Sequence, residues 1–281
     1  EIIMVRTCMH GHTGPLSKQH GQGFILTALS GVDALISWPD RAPSGAYGPF
    51  TDYVAPQFNT IALIAALDYK RRTGKGQYID QSQHEACMNV IAPLILNYTV
   101  NHRDIEPQGN RLPCAAPHGI YRCKGDERWC AIAVFTDKEW DSFCKVIGKP
   151  SLSKDPRFAT LEKRKANEDA LDKIVEAWTL KRPPEDVQKQ LQAVRVAAAL
   201  VSNGKDLAED QQLKHYNFFV EREHPVQGKI PFYHGPGFRM SEDTYEVGRS
   251  NLLGEHNDYV FTKLLGLSDE EFVELVAEGV I

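Results

Sequence analysis

The sequence of 281 residues lacks most of the devices that announce a function class. No apolar segment approaches the ~20 residues needed to span a bilayer, so no membrane partner is expected. No run of Lys and Arg stands out and the net charge is −5, which removes the electrostatic footprint of a nucleic-acid binder. The six cysteines, Cys8, Cys87, Cys114, Cys123, Cys130 and Cys144, form neither a CxxC pair nor a zinc-like spacing. A chain of this size does not need disulfide staples, so reduced structural thiols and a cytoplasmic location are expected. His10, His12 and His20 lie among glycines and a proline without helix or strand spacing, so no metal is expected there. Gly21-Gln22-Gly23 is short of the third glycine and the distant acidic residue of a dinucleotide fingerprint. Internal repeats and low-complexity tracts are also missing. There is neither an initiator Met nor a signal peptide. Glu1-Ile2-Ile3-Met4-Val5 reads as a strand met in mid-fold, so a further N-terminal portion is expected, on this polypeptide or on another chain.

What is present is an ordinary globular composition, 42% apolar and 25% charged, in a chain long enough for one large or two smaller domains. Ile2–Cys8 reads as a parallel-type strand that runs into a glycine- and proline-rich loop, Met9–Pro15. In open α/β sheets ligands bind at such carboxyl ends. A helix is expected over 24–35. A long one follows, stopped by Thr73-Gly74-Lys75-Gly76, where a glycine C-cap and basic last turn explain what resembles a phosphate loop. A strand over 77–80 and a buried helix over 82–97 come next. The Pro/Gly-rich crossing at 108–119 marks a domain boundary. Beyond it, 119–123 and 129–135 read as a hairpin. Thr136 with Glu139 forms a capping box. Helices continue to Val194, broken at Arg182-Pro183-Pro184, and a small apolar strand sits at 197–201. Two amphipathic helices, over 258–266 and 268–278, close the chain. The division expected is 1–107, 108–232 and 233–281.

One stretch has chemistry in it. Phe50-Thr51-Asp52-Tyr53-Val54-Ala55-Pro56 joins a turn-rich segment to an apolar run ending at Leu67 that suits a helix buried on most of its surface. Pro56 is tolerated in a first helical turn. Asp52 therefore stands near a helix entrance, where unpaired N–H groups and the positive end of the dipole act on a carboxylate. A helix cap and a catalytic carboxylate both fit, and local physics leaves the choice open.

Several short motifs in order settle it by resemblance. They are Gly11-His12-Thr13-Gly14-Pro15, Ala28-Leu29-Ser30-Gly31, Thr51-Asp52-Tyr53, Ala65-Ala66-Leu67, Arg72-Thr73-Gly74-Lys75-Gly76-Gln77, Gly109-Asn110-Arg111, Ala116-Pro117-His118-Gly119, Asp155-Pro156-Arg157-Phe158 and Leu253-Gly254-Glu255-His256. Together they resemble the class III CoA-transferases, also called CaiB/BaiF, across essentially the whole chain. The resemblance implies an α/β fold: a Rossmann-like large domain, incomplete at its N-terminus, with a smaller α+β domain. It implies interlocked homodimers, and an N-terminal portion carrying much of the CoA site. It also implies an activity, the transfer of CoA from an acyl-CoA donor to a carboxylic acid acceptor, with coenzyme A as substrate and no metal.

Asp52 takes the nucleophile's position in that frame, forming an aspartyl anhydride and then an aspartyl-CoA thioester. His10 and Gly11 fall at the CoA-binding turn, His10 standing where a basic residue is common. Trp38, Tyr53, Cys114 and Ala115 fall to the substrate pocket. The last two lie in Leu112-Pro113-Cys114-Ala115-Ala116, a stiffer counterpart of the glycine-rich loop of some members. The segments around Trp38 and Pro56 resemble those of members acting on larger organic acids. Two rival readings share the fold. One is a 2-methylacyl-CoA racemase, whose histidine position falls here on Gln22, two residues from His20. The other is a non-catalytic subunit of a heteromeric transferase.

Overall fold

β1 (Met4–Cys8) pairs in parallel with β2 (Tyr78–Ser82), Met4 opposite Tyr78 and Cys8 opposite Ser82, in a computed structural model that describes residues 2–281. Parallel strands need a long crossover. Here it contains α1 (Gly23–Leu29), α2 (Val32–Leu35) and α3 (Phe50–Thr73). The single helix expected over 24–35 is two, because Gly31 adopts the left-handed conformation (φ +84°) that a side chain resists and so breaks the run. α3 stops where its glycine predicts. Gly74 is left-handed (φ +76°), its N–H bonds to the Lys70 carbonyl at 2.8 Å, and Lys70, Arg71 and Arg72 occupy the last turn.

At its other end α3 departs from expectation. It starts at Phe50, capped by Pro49, which moves Pro56 out of the first turn and into the helix interior. The expected burial is not met either: Thr51, Ala55 and Ala66 are buried, while Ile61 and Ile64 are 65% and 61% exposed. The reason is local. α3 packs mainly against α1, α4 (Gln83–Val90) and the two strands, which leaves Ile61 and Ile64 open among the described residues. The buried helix expected over 82–97 is likewise two helices. α5 (Ala92–Asn101) restarts at Pro93, a residue suited to a first turn, and none of its residues is buried.

The main core lies further along. β3 (His118–Arg122), β4 (Trp129–Ala133) and β5 (Ala197–Leu200) form an antiparallel sheet in that order. The predicted hairpin is thus present, with the small apolar strand added beside it. α6 (Asp137–Val146), α7 (Leu161–Ala166), α8 (Glu168–Thr179) and α9 (Pro184–Gln192) complete this part. Both halves of the Thr136–Glu139 capping box form, and Pro184 opens α9 at the predicted break. Trp140, Phe143, Leu171, Val175, Val187 and Leu191 point into one core with Cys130 and Ile132 from the sheet. Burial pushes the thiols of Cys130 and Cys144 up to about 12 and that of Cys123 up to about 11, so all three stay protonated.

Arg164 is fully buried in that core. It is held by the Ala116 carbonyl (2.9 Å), the Asp137 carboxylate (3.0 Å) and the ring of Trp140. The outer edge of β5 is occupied by α9: Gln192 donates to the Ala198 carbonyl and Gln188 accepts from the Leu200 N–H, each at 2.8 Å.

All of this belongs to one compact unit that ends at Val201; a second begins at Ser202. The second unit holds α10 (Gly204–Glu209), α11 (Gln211–His215), an antiparallel pair β6 (Phe219–His224) and β7 (Gly228–His234), and α12 (Asp269–Ala277). That hairpin has no counterpart in the sequence reading. The segment expected as an α-helix over 258–266 is wound more widely, as a π-helix over Tyr259–Leu264. Ser268 and Glu271 form the predicted capping box. Within Leu253-Gly254-Glu255-His256, Glu255 pairs with Arg249, and that ion pair holds its carboxyl down at about 2. The chain as a whole is mixed α/β.

Candidate active site around Asp52

Asp52 is the third residue of α3, and its N–H bonds to the Pro49 carbonyl at 2.9 Å. Its carboxylate caps no helix; the N-terminus of α3 has no side-chain cap. Pro56, four residues on, cannot donate the N–H that would ordinarily close on the Asp52 carbonyl. The side chain is held instead from another element. Gln83, the first residue of α4, donates its Nε2 to Asp52 Oδ1 at 3.0 Å across 31 residues of sequence.

The other carboxylate oxygen faces Gly23. A Cβ placed on Gly23 would lie 2.7 Å from Asp52 Oδ2 and 2.2 Å from the Pro49 Cβ, so only glycine fits here. Two hydroxyls fix that glycine by donating to its carbonyl: Thr27 at 2.8 Å and the fully buried Thr51 at 3.3 Å. Gln22, Gly23, Phe24, Gly48, Pro49 and Asp52 line a cavity of about 410 Å³. It is large enough for a small acyl group, and among the described residues Asp52 is its only ionisable wall residue.

Tyr53 follows Asp52 on α3 but is not in the lining of this cavity; it is largely exposed, with its hydroxyl end near Gly48. Trp38 lies elsewhere. Its ring covers Gly109 so closely that a Cβ there would come within 2.3 Å, and it lines a second cavity with Arg111, Tyr121, Asp169 and Asp172. Cys114 is exposed and Ala115 fully buried, and neither lines the Asp52 cavity. Their loop is anchored to α7 and α8. Arg111 pairs with Asp169 (2.5 Å) and Asp172 (3.0 Å), and Lys165 donates to the Leu112 carbonyl at 3.0 Å.

His10 and Gly11 occupy the turn after β1. The Met9 carbonyl receives the His84 N–H (3.0 Å) and the Ser82 hydroxyl (3.2 Å), and Asp80 receives the His12 N–H (2.8 Å). Gly11 is left-handed (φ +90°). The His10 ring meets that of His84 edge-on at 5.5 Å, and neither of its nitrogens has a hydrogen-bond partner. Burial and, secondarily, His84 lower its pKa, which favours the neutral imidazole.

Of the residues expected in the substrate pocket, none of Trp38, Tyr53, Cys114 and Ala115 lines the cavity that Asp52 faces. Gln83 and Gly23 escaped the sequence reading. Gly23 carried no signal, since the carboxylate it makes room for lies 29 residues further along the chain. Gln83 was hidden for the same reason, its partner being 31 residues away. A larger cavity, about 680 Å³, lies over the β3–β5 sheet on a floor of Ile120, Ala131, Ala133, Ala197 and Ala199, and it holds no carboxylate. Among the described residues no three His, Cys, Asp or Glu side chains converge to hold a metal.

Comparison with known proteins gives this geometry a context. The chain is 30% identical, over its whole length, to the succinyl-CoA–D-citramalate CoA-transferase of Chloroflexus aurantiacus, of which it covers 69%. It is also 30% identical over its whole length to a probable CoA-transferase of Mycobacterium tuberculosis, of which it covers 36%. The chain thus spans about a third of one curated relative and little more than two thirds of the other. Among solved structures, a CaiB/BaiF family protein from Brucella suis superposes with a TM-score of 0.84 at 28% identity, covering 94% of this chain and 68% of that one. The sequence model of CoA-transferase family III matches residues 1–257, and the chain belongs to that family.

Proposed function

We propose that this chain carries the nucleophile of a CoA-transferase that moves CoA from an acyl-CoA donor to a carboxylic acid acceptor. The observation behind this reading is the Asp52 carboxylate. One oxygen is held by Gln83 and the other faces a small cavity across Gly23. A carboxylate kept for capping would turn toward its own helix, and this one does not.

In this reading Asp52 attacks the donor thioester, giving a mixed anhydride and CoA thiolate. The thiolate returns to the aspartyl carbon, releases the donor acid and leaves an aspartyl-CoA thioester. The acceptor carboxylate repeats the sequence in reverse and departs as its CoA ester. Covalent catalysis divides one hard transfer into easier ones. The turn of His10 and Gly11 lies at the carboxyl end of β1, the place where the resemblance puts CoA contacts. A neutral His10 would serve there by shape and hydrogen bonding rather than charge. The 410 Å³ cavity supports a compact acyl group. Larger organic acids, with Trp38, Cys114 and Ala115 against them, require the 107–117 loop to approach.

The racemase reading is less well supported. It needs a histidine opposite the aspartate, and the cavity wall presents Gln22, with His20 absent from its lining. A non-catalytic subunit would have no use for an aspartate so closely fitted by glycine. The uncovered apolar faces of α3 and α5 support an assembly in which a second copy, or a chain supplying further N-terminal sequence, completes a Rossmann-like sheet around β1 and β2. In that assembly residues 108–232 would form the small α+β domain and 233–281 return to the large one. No helix is long and apolar enough to cross a membrane among the described residues.

The test is to trap the intermediate. The assembled protein is incubated with candidate acyl-CoA donors, quenched with hydroxylamine and digested. A hydroxamate on the Asp52 peptide is expected, with none in Asp52→Ala. Exchange of α-hydrogen for solvent deuterium in a 2-methylacyl-CoA, without any acceptor acid, would replace this reading with the racemase.

A further inference from the structure

We propose that the Gln83 side-chain amide is the oxyanion donor for the steps that take place at the Asp52 carboxyl carbon. The proposal rests on the transferase reading above and adds to it a role for one residue in only some of its steps.

The two oxygens of Asp52 are made different by their surroundings. Oδ1 accepts the Gln83 amide N–H at 3.0 Å, while Oδ2 faces Gly23, where no side chain can intervene. An ionised carboxylate only accepts hydrogen bonds, so the amide must present its NH₂ end. Gln83 itself is half-buried and its backbone is fixed on both sides. Ser82 before it donates to the Met9 carbonyl and accepts from the Glu85 N–H, both at 3.2 Å, and His84 after it donates to the same Met9 carbonyl at 3.0 Å. The donor is thus in place before any charge develops, as electrostatic stabilisation requires.

The consequence follows by tracking the atoms. In the first step Oδ2 bonds to the acyl carbon of the donor, the C–S bond breaks and CoA leaves as thiolate. Negative charge gathers on the thioester oxygen, which Gln83 does not touch. Oδ2 is now the bridging oxygen of the anhydride and Oδ1 the carbonyl oxygen of its aspartyl half. In the second step the thiolate attacks Asp52 Cγ. A C–S bond forms and the carbonyl electron pair moves onto Oδ1. Its return breaks the Cγ–Oδ2 bond, and the donor acid departs as a carboxylate carrying Oδ2. The third step, attack of the acceptor carboxylate on the aspartyl thioester, again places the charge on Oδ1 and expels thiolate. In the fourth step the thiolate attacks the acceptor's acyl carbon, the bond from that carbon to the bridging Asp52 oxygen breaks, and the acceptor's CoA ester leaves the regenerated carboxylate. The tetrahedral charge sits on the acyl oxygen, which Gln83 does not touch. Gln83 therefore stabilises the tetrahedral oxyanion of the second and third steps, and in the first and fourth keeps only the bond it already makes to the carboxylate.

The experiment separates those steps. The assembled protein is mixed with succinyl-CoA as the probe donor, and rapid-quench samples are read for free thiol and, by mass, for acyl or CoA adducts on the Asp52 peptide. In Gln83→Leu, thiol release in the first step should keep its wild-type rate. Formation of the aspartyl-CoA adduct should slow by about 10²-fold, with kcat falling alike. Free CoA and succinyl-Asp52 then accumulate. Gln83→Met serves as a second variant, and unfolding temperatures identify any that fails to fold. A kcat within threefold of wild type in a folded variant overturns the proposal. So does a loss confined to the first step. Failure of the wild-type protein to acquire any adduct on Asp52 with any donor instead overturns the transferase reading, and this proposal falls with it.

Discussion

Two stretches of the same compact unit treat apolar sequence in opposite ways. Between Ala116 and Ala198 it is turned inward: Trp140, Phe143, Leu171 and Val175 are at most 1% exposed. Between Ile2 and Asn101 much of it is turned outward, with Ile61, Tyr98 and Val100 between 62% and 69% exposed. Composition is not the difference. The later stretch has a three-stranded sheet with four α-helices between its second and third strands, enough to close a core. The earlier one has a two-stranded parallel pair, and parallel strands need cover on both faces. The candidate nucleophile sits in the stretch that is less closed. The best-closed core and the proposed chemistry thus fall to different parts of this unit.

That contrast can be tested from its strongest consequence downward. Asp52→Asn should cut CoA transfer by at least about 10⁴-fold, the scale on which losing a nucleophile acts. Its thermal unfolding should be unchanged, since Asp52 anchors no core. Trp140→Ala should cost about 3–5 kcal/mol of unfolding free energy by denaturant titration. In the same measurement Ile64→Ser should stay within ~0.5 kcal/mol, being exposed in this chain. Equal costs for the two would dissolve the contrast.

A smaller effect should come from pH. The His10 pKa is lowered in the folded state by burial and by His84, so the unfolded chain binds the extra proton first. Stability should therefore fall as pH drops below the ordinary histidine value of about 6.5 and toward the lowered one, and be intact above it. His10→Phe should flatten that part of the pH–stability curve. Least of all, Thr136→Ala removes one half of a capping box and should cost about 1 kcal/mol, read as a small drop in unfolding temperature.

Sequence alone carried the parts governed by short-range rules. The Gly74 stop, the Thr136 and Ser268 capping boxes, the 119–135 hairpin and the proline break before α9 each follow from a few adjacent residues. It failed where the outcome depended on neighbours. An apolar pattern says which face of α3 prefers burial but not whether a neighbour is there to bury it. The start of α3 moved to Phe50 because Pro49 serves as its cap, although Pro56 looked the better first-turn residue. At the site, Asp52 was legible through its motif context. The partners that orient it were not, since Gln83 and Gly23 lie 31 and 29 residues away and reach it only through the fold.

Gln188 and Gln192 have a consequence beyond α9 itself. A sheet edge normally offers its free N–H and C=O groups to any extended segment nearby, and that is how stray chains recruit one another into aggregates. On β5 the Leu200 N–H and the Ala198 carbonyl are already engaged by Gln188 and Gln192. A newly made or partly unfolded neighbour would have to displace both side chains before it could add a strand, so the alanine-rich edge is closed to polymerisation from within the chain.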